Sequence, residues 1–188
     1  SNRKVVELYQ RYIQTIVYRY HDRVKYWISF CEINVMNSAL YMVGGTVLQP
    51  HQDREAVLHQ CAYHKLLANA LFVKTCHEID TSLRVGCEVA GTPCYPFTSS
   101  PLDYQLMMEN ERKNNRYTDV MVKGIYPYYF QKEMLDYGIK MFEDDLKILK
   151  ENPLDFIAVS YYKSSLATHT GMKDNPCLDK TAFGWTID

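Results

Sequence analysis

Val24-Lys25-Tyr26-Trp27-Ile28-Ser29-Phe30-Cys31-Glu32-Ile33-Asn34 decides how the rest of this chain is read. A short run rich in apolar and aromatic residues stops at one carboxylate, Glu32, followed by Ile33 and Asn34. That pattern expects a buried parallel strand over 24–30, delivering an acid at its C-terminal end. In α/β folds the chemistry gathers at that end of the strands.

Working outward, residues 3–20 read as a helix. Val5, Leu8, Tyr9, Tyr12, Ile13, Ile16, Val17 and Tyr20 recur at three- and four-residue spacing, and Asn2 suits the N-cap. His21-Asp22-Arg23 turns the chain into the strand. Beyond Glu32 lies a looser stretch with Gly44-Gly45 and Pro50. Asp53 then caps a helix over 54–78, with a stripe of Val57, Cys61, Leu66, Leu67, Ala70, Leu71, Val73 and Cys76. A second strand is expected over 82–90, then a Gly/Pro-rich loop over 91–101 containing Tyr95-Pro96. Ser100 and Pro101 open a helix over 102–115, with Asp103 as a capping-box partner. Residues 119–122 suggest a turn. Helices follow over 128–136 and 142–150, Pro153 ends the second, and a third strand spans 154–162. The tail, 163–188, reads as loop.

Strands separated by helices imply parallel pairing with right-handed crossovers. The fold class is therefore α/β. A closed barrel of eight such units needs roughly 250 residues, so 188 residues supply about three units. The three strands look apolar on both faces, which calls for partner strands beyond them.

Composition narrows the function. With 21 basic and 22 acidic residues and net charge −1, no basic patch argues for nucleic acid or an anionic membrane. No apolar run approaches the roughly 18 residues of a membrane span. The start of the sequence lacks a signal-peptide apolar region. The six cysteines, Cys31, Cys61, Cys76, Cys87, Cys94 and Cys177, have no paired short spacing, so reduced thiols and a cytoplasmic location are expected. His59, Cys61 and His64 fall close on one helix, but no carboxylate spacing completes a metal site, and no glycine-rich phosphate loop is present. Neither metal nor cofactor is expected. Sixteen tyrosines suit a sugar pocket but also fill cores.

Several stretches line up in order with one family. Tyr26 through Asn34 resembles the acid/base motif of glycoside hydrolase family 1, usually Thr-Phe-Asn-Glu-Pro-Asn or Thr-Phe-Asn-Glu-Ile-Asn. His64 through His77-Glu78-Ile79 resembles that family's next helix. Val85-Gly86-Cys87, Tyr95-Pro96 and Pro101-Leu102-Asp103 are similar to the next strand and loop. Asp119, Gly124, Tyr126 and Pro127 match a further segment. Asp155-Phe156-Ile157 with Ser160-Tyr161-Tyr162 matches the sixth strand, and Phe183 through Asp188 a Trp-Gly-Trp-Gln-Ile-Asp segment. Ser160-Tyr161-Tyr162, Ile33 and the Gly86-Cys87 strand together resemble the 6-phospho-β-glucosidase branch.

The resemblance implies a (β/α)8 barrel of which 1–188 is the central portion, about strands 4 to 6 with their helices. It implies a retaining glycosidase acting on phosphorylated β-glucosides, with Glu32 as acid/base. The nucleophile motif of the family has no counterpart here, so the chain alone is expected to be inactive. Cys31 stands where the family has an asparagine that binds the sugar 2-hydroxyl, and a thiol is a weaker donor. Tyr162 matches a tyrosine beside the nucleophile, and Ser160 a sugar-proximal position. Tyr95, Tyr126 and Trp185 are candidates for the aglycone side, where Phe183 replaces a tryptophan. Two rival readings stay open. One is a non-catalytic homologue pairing its sheet edges with another copy; the other, a doubly wound nucleotide-binding domain, lacks the phosphate loop.

Overall fold

A computed structural model of the protein describes residues 2–170. Its elements in chain order are α1 (Lys4–Tyr20), β1 (Tyr26–Ile28), a 3-10 turn (Ile33–Asn37), α2 (Leu40–Gly44), α3 (Arg54–Ile79), β2 (Arg84–Gly91), β3 (Cys94–Pro96), α4 (Pro101–Lys123), α5 (Tyr128–Asp136), α6 (Glu143–Glu151), β4 (Phe156–Tyr161) and β5 (Ser165–Ala167). They fall into two compact units. One takes in Ser1–Val89 and Arg116–Val159, the other Ala90–Asn115 and Ser160–Asp188.

The first unit carries most of a three-stranded sheet of order β1-β2-β4. β1 and β2 pair in parallel, with Tyr26 opposite Arg84, Trp27 opposite Val85 and Ile28 opposite Gly86. β1 is shorter than its apolar run suggests, but the ladder continues past it. Ser29 N–H donates to Gly86 O (2.9 Å), Glu88 N–H to Phe30 O (2.9 Å) and Glu32 N–H to Glu88 O (2.8 Å). Gly86 is required where it stands: a Cβ there would lie 2.4 Å from the Phe156 ring of β4.

In α1 and α3, polar side chains accept amides of the first turn. Asn2 Oδ1 accepts the Lys4 N–H at 2.9 Å. Asp53 accepts from Glu55 N–H at 2.8 Å and Ala56 N–H at 3.1 Å, a pattern worth about 1 kcal/mol. α1 buries Val6, Ile13 and Val17; Ile13 and Val17 pack with Phe72, Val73, Cys76, Leu83 and Val85. α3 departs from the expected stripe: between Leu58 and Cys76 it is buried on nearly every side, as a helix enclosed by α1 and α6 must be.

Three other expectations need correction. Residues 119–122 form no turn, because α4 runs unbroken to Lys123. Asp119 accepts from Lys123 one helical turn on (2.7 Å) and from the Tyr129 hydroxyl (3.1 Å). The helix ends at Gly124, whose φ of +67° and close approach to Leu149 O leave no room for a Cβ. Asp103 completes no capping box: its carboxylate takes the Thr98 N–H (3.0 Å) and hydroxyl (2.6 Å) instead. In the second unit, the loop and tail of the sequence hold a parallel pair, β3 with β5, with Cys94 opposite Ser165 and Pro96 opposite Ala167. Three-residue strands are too short to carry a periodic signal, and β3 also follows Pro93 and ends on Pro96.

The strands are also not covered on both faces. β2, the central one, is buried along most of its length. β1 and β4 are edges, leaving Tyr26 73% and Val159 62% exposed, with Ile28 and Ile157 also in solvent. Their outer rows of backbone groups are open to further strands. We expect the chain to self-associate through these edges. Val159→Lys should weaken that association by about tenfold, since a buried unpaired ammonium costs more than 1.4 kcal/mol. Sedimentation velocity across a concentration series checks this. Among the described residues no helix is long and apolar enough to cross a membrane.

Candidate functional site

Glu32 has φ +50° and ψ +44°. It is the one non-glycine residue with positive φ among the described residues. A left-handed conformation at such a residue costs roughly 1–2 kcal/mol and persists only where its surroundings hold it. Here they do. The Glu32 N–H is bonded to Glu88 O at 2.8 Å and lies 3.2 Å from Glu88 Oε2. Its carbonyl accepts the Val35 N–H at 2.9 Å and so starts the 3-10 turn. Ile33, Asn34 and Met36 of that turn are buried. The chain thus leaves the sheet abruptly, with Glu32 half-buried at the strand's C-terminal rim.

The far end of the turn is pinned by polar groups that the sequence does not advertise. Asn37 Oδ1 accepts from Arg116 Nη2 (2.5 Å) and from the Tyr117 hydroxyl (2.6 Å), while Arg54 donates to Asn37 O. Arg116 Nη1 reaches Glu133 Oε2 at 2.7 Å, and His59 Nε2 lies 3.3 Å from the same oxygen. Burial alone would raise the Glu133 carboxyl. The His59 and Arg116 contacts outweigh it and hold the group below its ordinary range. The only sequence signal was the alternation of buried apolar residues with Asn34 and Asn37 in one short turn.

Cys31 is exposed, and its Sγ donates to Glu88 Oε2 at 2.7 Å. That hydrogen bond, then desolvation, then the charges of Glu88 and Glu32 push the thiol up to about 11. At neutral pH Cys31 is therefore a protonated donor already engaged with a carboxylate. Glu88 escaped the sequence reading, although an acid between Cys87 and Val89 in a core strand is a signal, since a buried charge needs partners.

Ser160 and Tyr162 belong to the second unit, Cys31 and Glu32 to the first. Ser160 is half-buried near the end of β4. Tyr162 is exposed, and its N–H donates to Gly91 O at 3.1 Å. In the same unit His169 N–H (2.8 Å) and Nδ1 (2.6 Å) meet Asp103 Oδ1, tying the start of α4 to the segment after β5. Tyr95 is exposed. Trp185 and Phe183 lie outside the described residues. No group of three or more His, Cys, Asp or Glu side chains among the described residues is arranged to hold a metal ion.

Tyr126 lines no rim: it is 3% exposed and packs on Phe130 with ring centroids 5.4 Å apart. Its hydroxyl has no hydrogen-bond partner among the described residues. Tyr126→Phe should leave stability unchanged or raise it by about 1 kcal/mol, because it removes an unsatisfied buried hydroxyl. Urea unfolding of the two proteins checks this.

Glu32 thus presents a carboxylate on a left-handed turn at the strand's C-terminal rim, the end of the strands where α/β folds gather their chemistry. A single carboxylate cannot complete double displacement at a sugar carbon, which needs two about 5–5.5 Å apart. Glu88 is already held by the thiol and the Glu32 amide.

Comparison with known proteins fits this geometry. The chain is 39% identical to the aryl-phospho-β-D-glucosidase BglH of Bacillus subtilis over 202 residues, a match covering 100% of this chain and 43% of that protein. It is 38% identical to a 6-phospho-β-glucosidase of Clostridium longisporum, covering 100% and 42%. It therefore spans less than half the length of these relatives. The family 1 β-glucosidase of Thermotoga maritima superposes with a TM-score of 0.75 at 23% identity, over 100% of this chain and 43% of that one. That likeness carries the fold, a portion of a β/α barrel. The sequence model of glycosyl hydrolase family 1 matches residues 1–183, so the ordered run from the Glu32 turn to β4 reflects common descent, and the chain belongs to glycosyl hydrolase family 1.

Proposed function

We propose that this chain carries the acid/base half of a retaining glycosidase site whose substrates are 6-phospho-β-glucosides. The observation that carries the reading is Glu32 itself. It is a carboxylate held left-handed at the C-terminal end of β1, within the stretch matching the family's acid/base motif. The substrate class is supported by the relatives named aryl-phospho-β-D-glucosidase and 6-phospho-β-glucosidase at 34–39% identity, and by Ser160-Tyr161-Tyr162. The five described cysteines are free thiols, which suits work in the reducing cytoplasm.

The chemistry takes two steps. Glu32, as the acid, gives its proton to the glycosidic oxygen while a carboxylate from barrel strands outside these 188 residues attacks the anomeric carbon. The carbon–oxygen bond breaks and the aglycone leaves. Glu32, now a carboxylate, takes a proton from water, which attacks the same carbon and frees the nucleophile with net retention. The single S–H of Cys31 is engaged with Glu88, so it leaves no donor for the sugar 2-hydroxyl, where an asparagine amide would have two.

The test compares 4-nitrophenyl β-glucoside with and without a 6-phosphate. The polypeptide is this chain joined at both ends to the remaining barrel strands of a family 1 enzyme, the nucleophile-bearing strand included, with the 188 residues alone beside it. The joined protein should prefer the phosphorylated substrate, and the chain alone should release no nitrophenol above buffer. Equal rates on both substrates would overturn the substrate class, and turnover by the chain alone would overturn the half-site. The exposed edges of β1 and β4 favour a second reading, an interaction module, which the Val159→Lys measurement addresses.

A further inference from the structure

We propose that Glu88 is a positioning residue for Glu32, a latch on β2 whose carboxylate fastens the Cys31–Glu32 turn from the neighbouring strand. The proposal deepens the acid/base reading and rests on it for its functional meaning, but its test needs no turnover.

Three contacts converge on this one residue. Glu88 O accepts the Glu32 N–H at 2.8 Å. Glu88 Oε2 takes the Cys31 thiol at 2.7 Å and faces the same Glu32 N–H at 3.2 Å. Glu88 N–H in turn donates to Phe30 O at 2.9 Å, so the latch sits on the sheet ladder and moves only if the ladder does. The held residue is the one strained non-glycine backbone among the described residues. A left-handed glutamate relaxes toward ordinary φ unless neighbouring groups oppose it, and Glu88 supplies both acceptors that face its amide. Residue 88 also needs no charge for packing: its neighbours Cys87 and Val89 contribute to the apolar core. A buried carboxylate there is retained for what it holds.

The arrangement makes the Cys31 thiol a reporter of the latch. The charged groups facing it are Glu88 and Glu32, and together with burial they raise it from its ordinary 9.0 to about 11. Cutting the contact returns it toward 9. A complete return would raise the thiolate fraction at pH 8.5 about seventy-fold and lower the intrinsic nucleophilicity about eightfold, a net gain of about tenfold in alkylation rate; desolvation and the Glu32 charge remain, so the gain is smaller than that.

The experiment measures iodoacetamide labelling of Cys31 against pH, read on its own peptide by mass spectrometry, in the wild-type chain, Glu88→Gln and Glu88→Met. The wild type should label with a midpoint near 11, and both variants with a lower midpoint and a faster reaction at pH 8.5, by up to about tenfold. A wild-type midpoint near 9, or identical profiles in all three, overturns the latch. A double-mutant cycle in urea tests the positioning itself. Glu32→Gly should raise the unfolding midpoint of the wild type by relieving the left-handed strain, and raise that of Glu88→Met less, because the turn there is already released. Equal gains in both backgrounds would show that Glu88 does not hold Glu32.

Discussion

Glu32→Gln in the joined, active polypeptide is expected to lower kcat/KM for an alkyl 6-phospho-β-glucoside by about 10²–10⁴-fold, the usual worth of a positioned general acid. The loss should shrink for 4-nitrophenyl substrates, whose leaving group departs without a proton. There the first step survives and the second, which needs Glu32 as base, becomes slow. A burst of nitrophenol followed by a slow steady state is the expected trace. The basic limb of the wild-type pH–rate profile, where the acid loses its proton, should be missing in the variant. A variant equally impaired on good and poor leaving groups, with both limbs intact, would move Glu32 from chemistry to structure.

The largest stability effect is expected at Arg3. Its guanidinium holds Asp145 through two bonds, of 2.6 and 2.7 Å. The Tyr63 hydroxyl donates to Asp145 at 2.5 Å and accepts the Phe142 N–H at 3.0 Å. The two ends of the ion pair differ in exposure: the Arg3 side chain is 47% exposed and that of Asp145 3%. What a mutation leaves behind therefore decides its cost. Asp145→Asn leaves a cation half in water and should cost about 1–2 kcal/mol. Arg3→Met leaves a buried carboxylate with a single hydroxyl partner and should cost about 3 kcal/mol, or about 6–12 °C in Tm. Burial pushes the Asp145 carboxyl up, but the bonds from Arg3 and Tyr63 outweigh it and hold it below its ordinary 3.8. A carboxyl lowered on folding stabilises above the unfolded value, and that contribution disappears as pH falls through the folded value. In Arg3→Met burial is opposed mainly by Tyr63, so Asp145 takes up its proton at a higher pH than in the wild type; the gap should therefore be full at neutral pH, narrow as pH falls through the variant's raised value, and close once the wild-type carboxyl is also protonated. Denaturant melts at pH 7 and pH 3 check both the order of the two variants and the closing gap.

The long periodic elements were legible in the sequence because one residue type repeated at one spacing. α1, α3, α5 and β2 lie close to where apolar periodicity and caps such as Asp53 put them. What escaped was set by contacts far apart in the chain. The 3-10 turn depends on Arg116 and Tyr117 reaching Asn37 some 79 and 80 residues away. The left-handed Glu32 depends on Glu88. β3 and β5 are too short for periodicity and exist through each other. At the candidate site, Glu32 was visible as the carboxylate that ends an apolar run, and Cys31 through the family resemblance, which has an asparagine there. Glu88, which organises both, lay inside a run that read as core. The expected turn at 119–122 failed for a local reason: Asp119 looks like a turn residue but is paired along the helix with Lys123.

Whether Glu32 is the proton donor and acceptor of a double displacement is decided by Glu32→Ala in the joined polypeptide with 4-nitrophenyl 6-phospho-β-glucoside, with and without sodium azide. Azide attacks the anomeric carbon without needing a base, so it should restore turnover and yield the β-configured 6-phosphoglucosyl azide. No acceleration by azide, or an azide product of inverted configuration, would contradict Glu32 as the acid/base.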